Sequence, residues 1–320
     1  MATRDLAEQE LSRGPLTIRK KTNLWAKTIE FTRRKPLGAF GAAVLILFVF
    51  MAIFAPLIDR YDPNVTEPFN ALQRPSLEHF FGTDNFGRDM YSRVINGAKL
   101  SIYVGLVSTA LGAAAGSLLG LAGAYFKGWV DLLIQRWMDI MFIFPDLVLA
   151  LAIVTVFQGG ALIDTIGFGS AYWGSLNAIV IAIAIPRVPG TARVVRSVAL
   201  SVMGQQYMDA SQAVGAKPMR QIFRHLTPNC MAPFIVYATA QIGGAILTES
   251  SLSFLGVGVA PEVASWGRML SIEGMRYFET HPYLAIFPGI AISAAVFGSN
   301  LFGDALRDVL DPRLRGSERR

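Results

Sequence analysis

One cysteine and three histidines are all the soft metal-binding chemistry in this chain of 320 residues. With Cys230 alone, neither an intrachain disulfide nor a cysteine-based zinc cluster can form. His79, His225 and His281 lie far apart and show no HExxH spacing, so no metal site is expected. No Gly-Lys dipeptide occurs anywhere, which excludes the GxxxxGK[ST] loop that cradles nucleotide phosphates. GxSxG, CxxC and a strand-borne GxGxxG are missing as well. Taken alone the polypeptide reads as a non-enzyme with no catalytic residues, cofactor or metal.

Charge is scarce too. Asp, Glu, Lys and Arg make up 16% of the residues against 52% hydrophobic, and mean hydropathy is +0.42. Soluble domains carry roughly a quarter charged residues, so composition points to a membrane protein. The net charge of +6 comes without the basic, aromatic-interleaved stripe of a nucleic-acid binder. The polar N-terminus, MATRDLAEQELSRGPLTIRK, does not read as a cleaved signal peptide.

What is present instead are long apolar runs. Residues 37–58 carry no charge, and at about 1.5 Å per helical residue they cross a hydrocarbon core of roughly 30 Å. Further spans are expected at residues 100–125, 140–157, 166–186, 231–258 and 283–303, the third holding Asp146 beside Pro145 and the fifth holding Glu249. The expectation is an all-α polytopic bundle of six transmembrane helices over residues 37–303, flanked by an N-terminal segment 1–36 and a C-terminal tail 304–320. With the N-terminus inside, 22 of the 29 Lys and Arg residues fall on inner segments. Both termini and the loop 187–230 are therefore expected in the cytoplasm, with the long loop 59–99 outside.

Within the second span Gly112, Gly116 and Gly120 share nearly one face. Small residues so spaced let another helix approach closely, either within the chain or at a subunit or pore surface. Charges at membrane depth are functional candidates by default. Glu249, with Ser250 and Ser253 in ILTESSLSFLG, is a candidate for a pathway or gating role, the alternative being a structural carboxylate held by neighbouring serines. The outer block HFFGTDNFGRDMYSRVINGAK concentrates Asp84, Arg88 and Asp89 in a turn-rich stretch. It reads either as a cap over the helix ends or as a contact for a soluble partner outside.

Between the fourth and fifth spans lies YMDASQAVGAKPMRQIFRHLTPN, residues 207–229. Asp209, Ala210 and Ser211 begin a helical pattern, Gly215 interrupts it, and Pro218 opens a second helix carrying Arg220, Arg224 and His225 that Pro228 is expected to stop. A compact basic knuckle of this kind suits docking.

These residues resemble a family, the inner-membrane permease subunits of ABC importers for dipeptides, oligopeptides and nickel, in particular the second permease of the pair. The family signature runs Glu-Ala-Ala, three residues, Gly, nine residues, then a short stretch ending in Pro. This chain has Asp209-Ala210-Ser211, Gly215, and His225 to Pro228 at that spacing, with Asp in place of Glu and Ser in place of the second Ala. HFFGTDNFGRDMYSR, TESSLSFLGVG and FGDALRDVLDPRLR resemble the family's first outer loop, fifth span and C-terminus. The resemblance implies a type I importer permease fold and a coupling helix seated on an ATPase, carried by Asp209, Ala210, Ser211, Gly215, Ala216, Arg220, His225 and Pro228. It also implies a homologous second permease, two ABC ATPase subunits that hold the ATP and magnesium, an extracytoplasmic solute-binding protein, and a bacterial inner-membrane location in contact with lipid. Peptides are the expected cargo, with nickel or oligosaccharide as alternatives. An ion-coupled secondary transporter would need repeated halves and several ionisable groups at one site, of which the sequence offers a single Glu.

Overall fold

The computed structural model describes residues 31–159, 171–260 and 262–310. Most of the N-terminal segment, the centre of the 158–175 loop and the LDPRLR end lie outside these. The chain divides into compact units Met1–Pro36 and Leu37–Arg320, and the architecture below is that of the second. Among the described residues there is no strand, only an isolated bridge between Thr83 and Asp89.

The helices are α1 (Pro36–Ile58), α2 (Met90–Phe126), α3 (Gly128–Ile143), α4 (Asp146–Gly159), α5 (Ala171–Met203), α6 (Gln206–Ala213), α7 (Pro218–Gln221), α8 (Thr227–Phe254), α9 (Trp266–Met269), α10 (Ile272–Arg276) and α11 (Tyr283–Leu310). Five segments are long and apolar enough to cross a membrane, and α3 with α4 makes a sixth if that bent pair is one span.

Helix limits differ from the hydropathy limits for identifiable reasons. α2 begins ten residues before the expected span because Asp89 caps it, its Oδ2 accepting the Ser92 N–H at 2.8 Å. The third expected span, 140–157, is not one helix. α3 and α4 meet at 94°, since Pro145 has no N–H to donate and holds the preceding Phe144 in an extended conformation (φ −90°, ψ 132°). α5, by contrast, runs straight through Pro186 and Pro189 to Met203. Arg187, Arg193 and Arg196, expected in the cytoplasmic loop, therefore belong to this long helix.

The glycine stripe lets α5 pack directly against α2. An added Cβ would lie 2.6 Å from the Ala184 carbonyl oxygen at Gly112, 2.6 Å from that of Val188 at Gly116, and 2.5 Å from that of Ala192 at Gly120. Each step of four on α2 matches a step of four on α5, so the two helices run parallel in near backbone contact. Parallel neighbours require the chain to return between them, which α3 and α4 accomplish. Asp131 of α3 receives Arg196 Nε at 2.6 Å, and Asp139 receives Arg193 Nη2 at 2.6 Å, strapping α3 to the far end of α5.

Ala150 and Val154 of α4 pack with Leu176, Ile179 and Ile183 of α5 and with Leu252 of α8. A second core forms around Trp266, with Phe48, Val94, Ile246 and Ala295. A third, of Leu121, Val195, Ala199, Leu226 and Cys230, roots the knuckle in the bundle.

Candidate functional site

In the knuckle, α6 ends in a Schellman motif. The Ala216 N–H donates to Ser211 O at 3.2 Å and the Gly215 N–H to Gln212 O at 2.9 Å. Gly215 has φ +80°, a left-handed conformation that side chains disfavour. Pro218 opens α7 as expected, but the second helix does not stop at Pro228. A π-helical turn, Ile222–Leu226, continues α7 into α8, and Pro228 falls in the first turn of α8, where a missing N–H is harmless.

Three side chains anchor the knuckle inward: Met208, Ile222 and Leu226 are buried. Gln221 is buried beside them and accepts the Tyr125 hydroxyl at 2.9 Å. Asp209, Ala210, Gly215, Arg220 and Pro228 are exposed, while Ser211, Ala216 and His225 are half-buried. Among them stand Val214, Met219 and Phe223, at 88%, 66% and 58% exposure. These apolar residues at the unconstrained positions of the signature were not singled out by sequence reasoning. Burial of their neighbours is what leaves them outward, and no periodicity within so short a turn signals that.

Glu249 lies at a junction of three segments and has no exposure. Oε1 accepts from Ser253 at 2.8 Å and Ser265 at 3.0 Å, and Oε2 from Ser101 at 3.0 Å and from Ser250 at 3.5 Å. The carboxylate thus joins α2, α8 and the segment leading into α9. Next to it the buried Trp266 donates Nε1–H to Val94 O at 2.8 Å and meets Phe48 edge-on at 5.1 Å. Of the sequence candidates around Glu249, Ser250 and Ser253 do reach it. Ser101 and Ser265 come from distant positions that the motif could not reveal.

Asp84, Arg88 and Asp89 are all buried. Asp84 Oδ1 accepts the Phe86 and Arg88 N–H groups at 2.8 and 2.9 Å, and its Oδ2 pairs with Arg88 Nε at 2.6 Å. Asp89 joins His79 Nδ1 at 2.9 Å while capping α2. The block is tied to α11 through the Tyr283 hydroxyl, which donates to Gln73 O at 2.8 Å. Phe69, Leu77 and Phe86 remain on its exposed rim. Asp59, at the start of this loop, is held above the usual carboxylate range by burial, partly offset by the Asn96 amide that donates to it at 2.9 Å.

A fourth feature went unseen because hydropathy ended the span at Pro186. Arg187 is buried in the middle of α5, donating Nη1–H to Ile183 O at 2.8 Å and Nη2–H toward Thr248 Oγ1 of α8 at 3.4 Å.

Known proteins resemble this chain over most of its length. A family model described as binding-protein-dependent transport system inner membrane component matches residues 112–316, and another, the N-terminal TM domain of oligopeptide transport permease C, matches residues 23–75. The dipeptide transport system permease protein of Alkalihalophilus pseudofirmus is 39% identical over 291 residues, covering 91% of this chain and 90% of that protein. The glutathione transport system permease protein of Escherichia coli is 38% identical over 285 residues, covering 89% of each. Among solved structures, an inward-facing methionine ABC transporter matches 69% of this chain and 98% of its own with a TM-score of 0.53 at 17% identity. That likeness is one of fold, and it agrees with the all-α polytopic bundle expected from the sequence.

Proposed function

Because this chain belongs to the family of binding-protein-dependent transport system inner membrane components, we propose that it forms half of the translocation pathway of an ATP-driven importer for peptides. It is an ABC transporter permease, a multi-pass membrane protein. In our reading ATP is hydrolysed on two partner subunits, a homologous permease completes the pathway, and an extracytoplasmic binding protein delivers the cargo. Peptide cargo is favoured over nickel or oligosaccharide because the relatives quoted above are named for dipeptide and glutathione transport.

The observation that carries this reading is the knuckle. A rigid turn anchored by Met208, Ile222 and Leu226 presents Asp209, Val214, Met219 and Phe223 outward. Exposed apolar residues held on a fixed backbone are suited to filling a groove on a partner. The π turn then leads directly into α8, so a push on the knuckle travels along one rigid helix into the bundle. The excess of Lys and Arg on inner segments supports a cytoplasmic knuckle and cytoplasmic termini. For Glu249, sealed from solvent and held by serines from three segments, the geometry supports the structural version of its role, a carboxylate that ties α2, α8 and the segment before α9 together. For the outer loop, Asp84, Arg88 and Asp89 act as the frame behind the rim of Phe69, Leu77 and Phe86 that would meet the binding protein.

Co-purification with the ATPase subunits tests the docking. Asp209→Arg reverses a charge at an exposed position, and Gly215→Trp adds a bulky ring where no atom lies within 4 Å of the Cβ, while its φ of +80° strains the turn locally. Both are expected to lose most of the bound ATPase while the permease itself remains folded. Wild-type recovery in both would overturn the reading.

A further inference from the structure

Arg187 lies near the middle of the apolar segment Leu176–Met203, about 17 Å of helix rise from Leu176. A guanidinium at that depth is costly unless it meets water, protein or a ligand. Two of its five N–H donors have partners, the Ile183 carbonyl and Thr248, and it makes no ion pair with a carboxylate among the described residues. Asp146, exposed at the start of α4, and Tyr237 of α8 are the titratable groups whose fields reach it. The flanking Pro186 and Pro189 leave the Ala182 and Ile185 carbonyls without the usual helical donor, adding polarity at the same level.

Facing it, α8 carries a stripe of Tyr237, Gln241, Gly244, Thr248 and Ser251, spaced by alternating fours and threes on one side of the helix. All five are half-buried or exposed. Gln241 Nε2 donates to Thr191 Oγ1 at 3.2 Å, tying the stripe to α5. Thr248 donates its own hydroxyl to Gly244 O at 2.8 Å, leaving its oxygen to accept from Arg187. A polar stripe at membrane depth beside a buried cation does not suit lipid, where polar groups need internal partners. It suits a wet path.

We propose that Arg187 and Thr248 form a carboxylate-holding station on the translocation path, with the α8 stripe as its hydrophilic wall. The carboxylate is that of the passing solute, which for a peptide is its C-terminal group. The identity of the carboxylate rests on the peptide reading above, but the anion preference of the station does not.

The test uses membranes holding the assembled importer in a Cys230→Ala background, which removes the one native thiol of this chain, and labelling is read on this chain after separation of the subunits. Gly244→Cys provides the probe, because a Cβ there lies 3.7 Å from Arg187 Nη2 in ordinary contact. Its labelling by small anionic and cationic methanethiosulfonates is compared, each normalised to a free thiol. Taking the ratio cancels any effect of Arg187 on the thiol itself. The expected anion preference is about tenfold, retained in Arg187→Lys and lost in Arg187→Gln. Absence of labelling by either reagent, or a ratio unchanged by Arg187→Gln, overturns the station. In parallel, Arg187→Gln should reduce uptake of a free-acid tripeptide at least about tenfold, and Arg187→Lys, which keeps the cation, should restore most of it. Wild-type uptake by Arg187→Gln overturns the proposal even where labelling holds. A wild-type importer that moves no peptide refutes the peptide reading alone, and the labelling ratio still decides the station.

Discussion

Replacing Gly116 by Ala and Gly289 by Ala should shift stability in opposite directions, although both are glycines in apolar helices. At Gly116 the new Cβ would lie 2.6 Å from Val188 O, 2.7 Å from Thr191 Cβ and 3.0 Å from Ala192 N. Two of these are backbone atoms of α5 and cannot swing away, so relief requires α2 and α5 to part by most of an ångström. Gly112 and Gly120, packed in the same register, then lose contact together. Overpacking of this kind costs about 1–3 kcal/mol, a loss of about 2–5 °C in melting temperature for a chain of this size. At Gly289 an added Cβ has no neighbour within 4 Å. There the helix-propensity gain of Ala, up to about 1 kcal/mol, stands unopposed. Thermal unfolding of the detergent-solubilised protein, followed by tryptophan fluorescence, distinguishes the two. An unchanged or raised melting temperature for Gly116→Ala would refute the close parallel packing of α2 and α5.

Other perturbations follow from the same geometry. Glu249→Ala leaves a cavity and strands the hydroxyls of Ser101, Ser253 and Ser265, for a loss of about 3–5 kcal/mol, whereas the near-isosteric Glu249→Gln should lose far less. Limited proteolysis between α8 and α11 is expected to accelerate in the alanine variant and serves as the readout. The Asp131–Arg196 pair is 19% and 29% exposed, so a double-mutant cycle should give a coupling of about 1 kcal/mol or less, and a value several times larger would contradict a solvent-screened strap. Asp59 has its carboxyl raised by burial. The folded state therefore binds its proton more tightly than the unfolded state, and stability falls as pH rises from the ordinary carboxylate pKa through the raised one. Comparison of melting curves should show this increment in wild type and not in Asp59→Asn, and identical pH profiles would argue against the burial. Gly215→Ala forces φ +80° on a residue with a Cβ and should cost about 1–2 kcal/mol, mainly in the order of the knuckle, measurable as faster amide exchange over 211–217.

Much of this protein is legible in its residues because a bilayer admits few solutions. Charge-free runs of helical length mark four of the crossings and a run broken only by Glu249 marks a fifth, for a backbone in hydrocarbon must satisfy its own hydrogen bonds. The knuckle is legible through Gly215 and Pro218, whose backbone geometry is local and survives any packing. Proline in a span is less readable. Pro145 breaks its helix, while Pro186, Pro189 and Pro233 do not. No local rule separates them, because the outcome depends on what lies opposite. α5 packs against the glycine face of α2 and pairs through Arg196 and Arg193 with α3, none of which is adjacent in sequence.

The same division holds at the candidate sites. Glu249 declared itself as a charge at membrane depth, but its burial among serines from α2, α8 and the segment before α9 required those segments to converge. Arg187 was hidden behind Pro186 until the helix was found to continue. By itself the sequence determined the membrane class, the lack of a P-loop motif and the register of the knuckle, since composition and short-range backbone preferences act within a few residues. Only the tertiary structure decided which charges are sealed and which neighbours they meet, because burial is a property of what packs across the bundle.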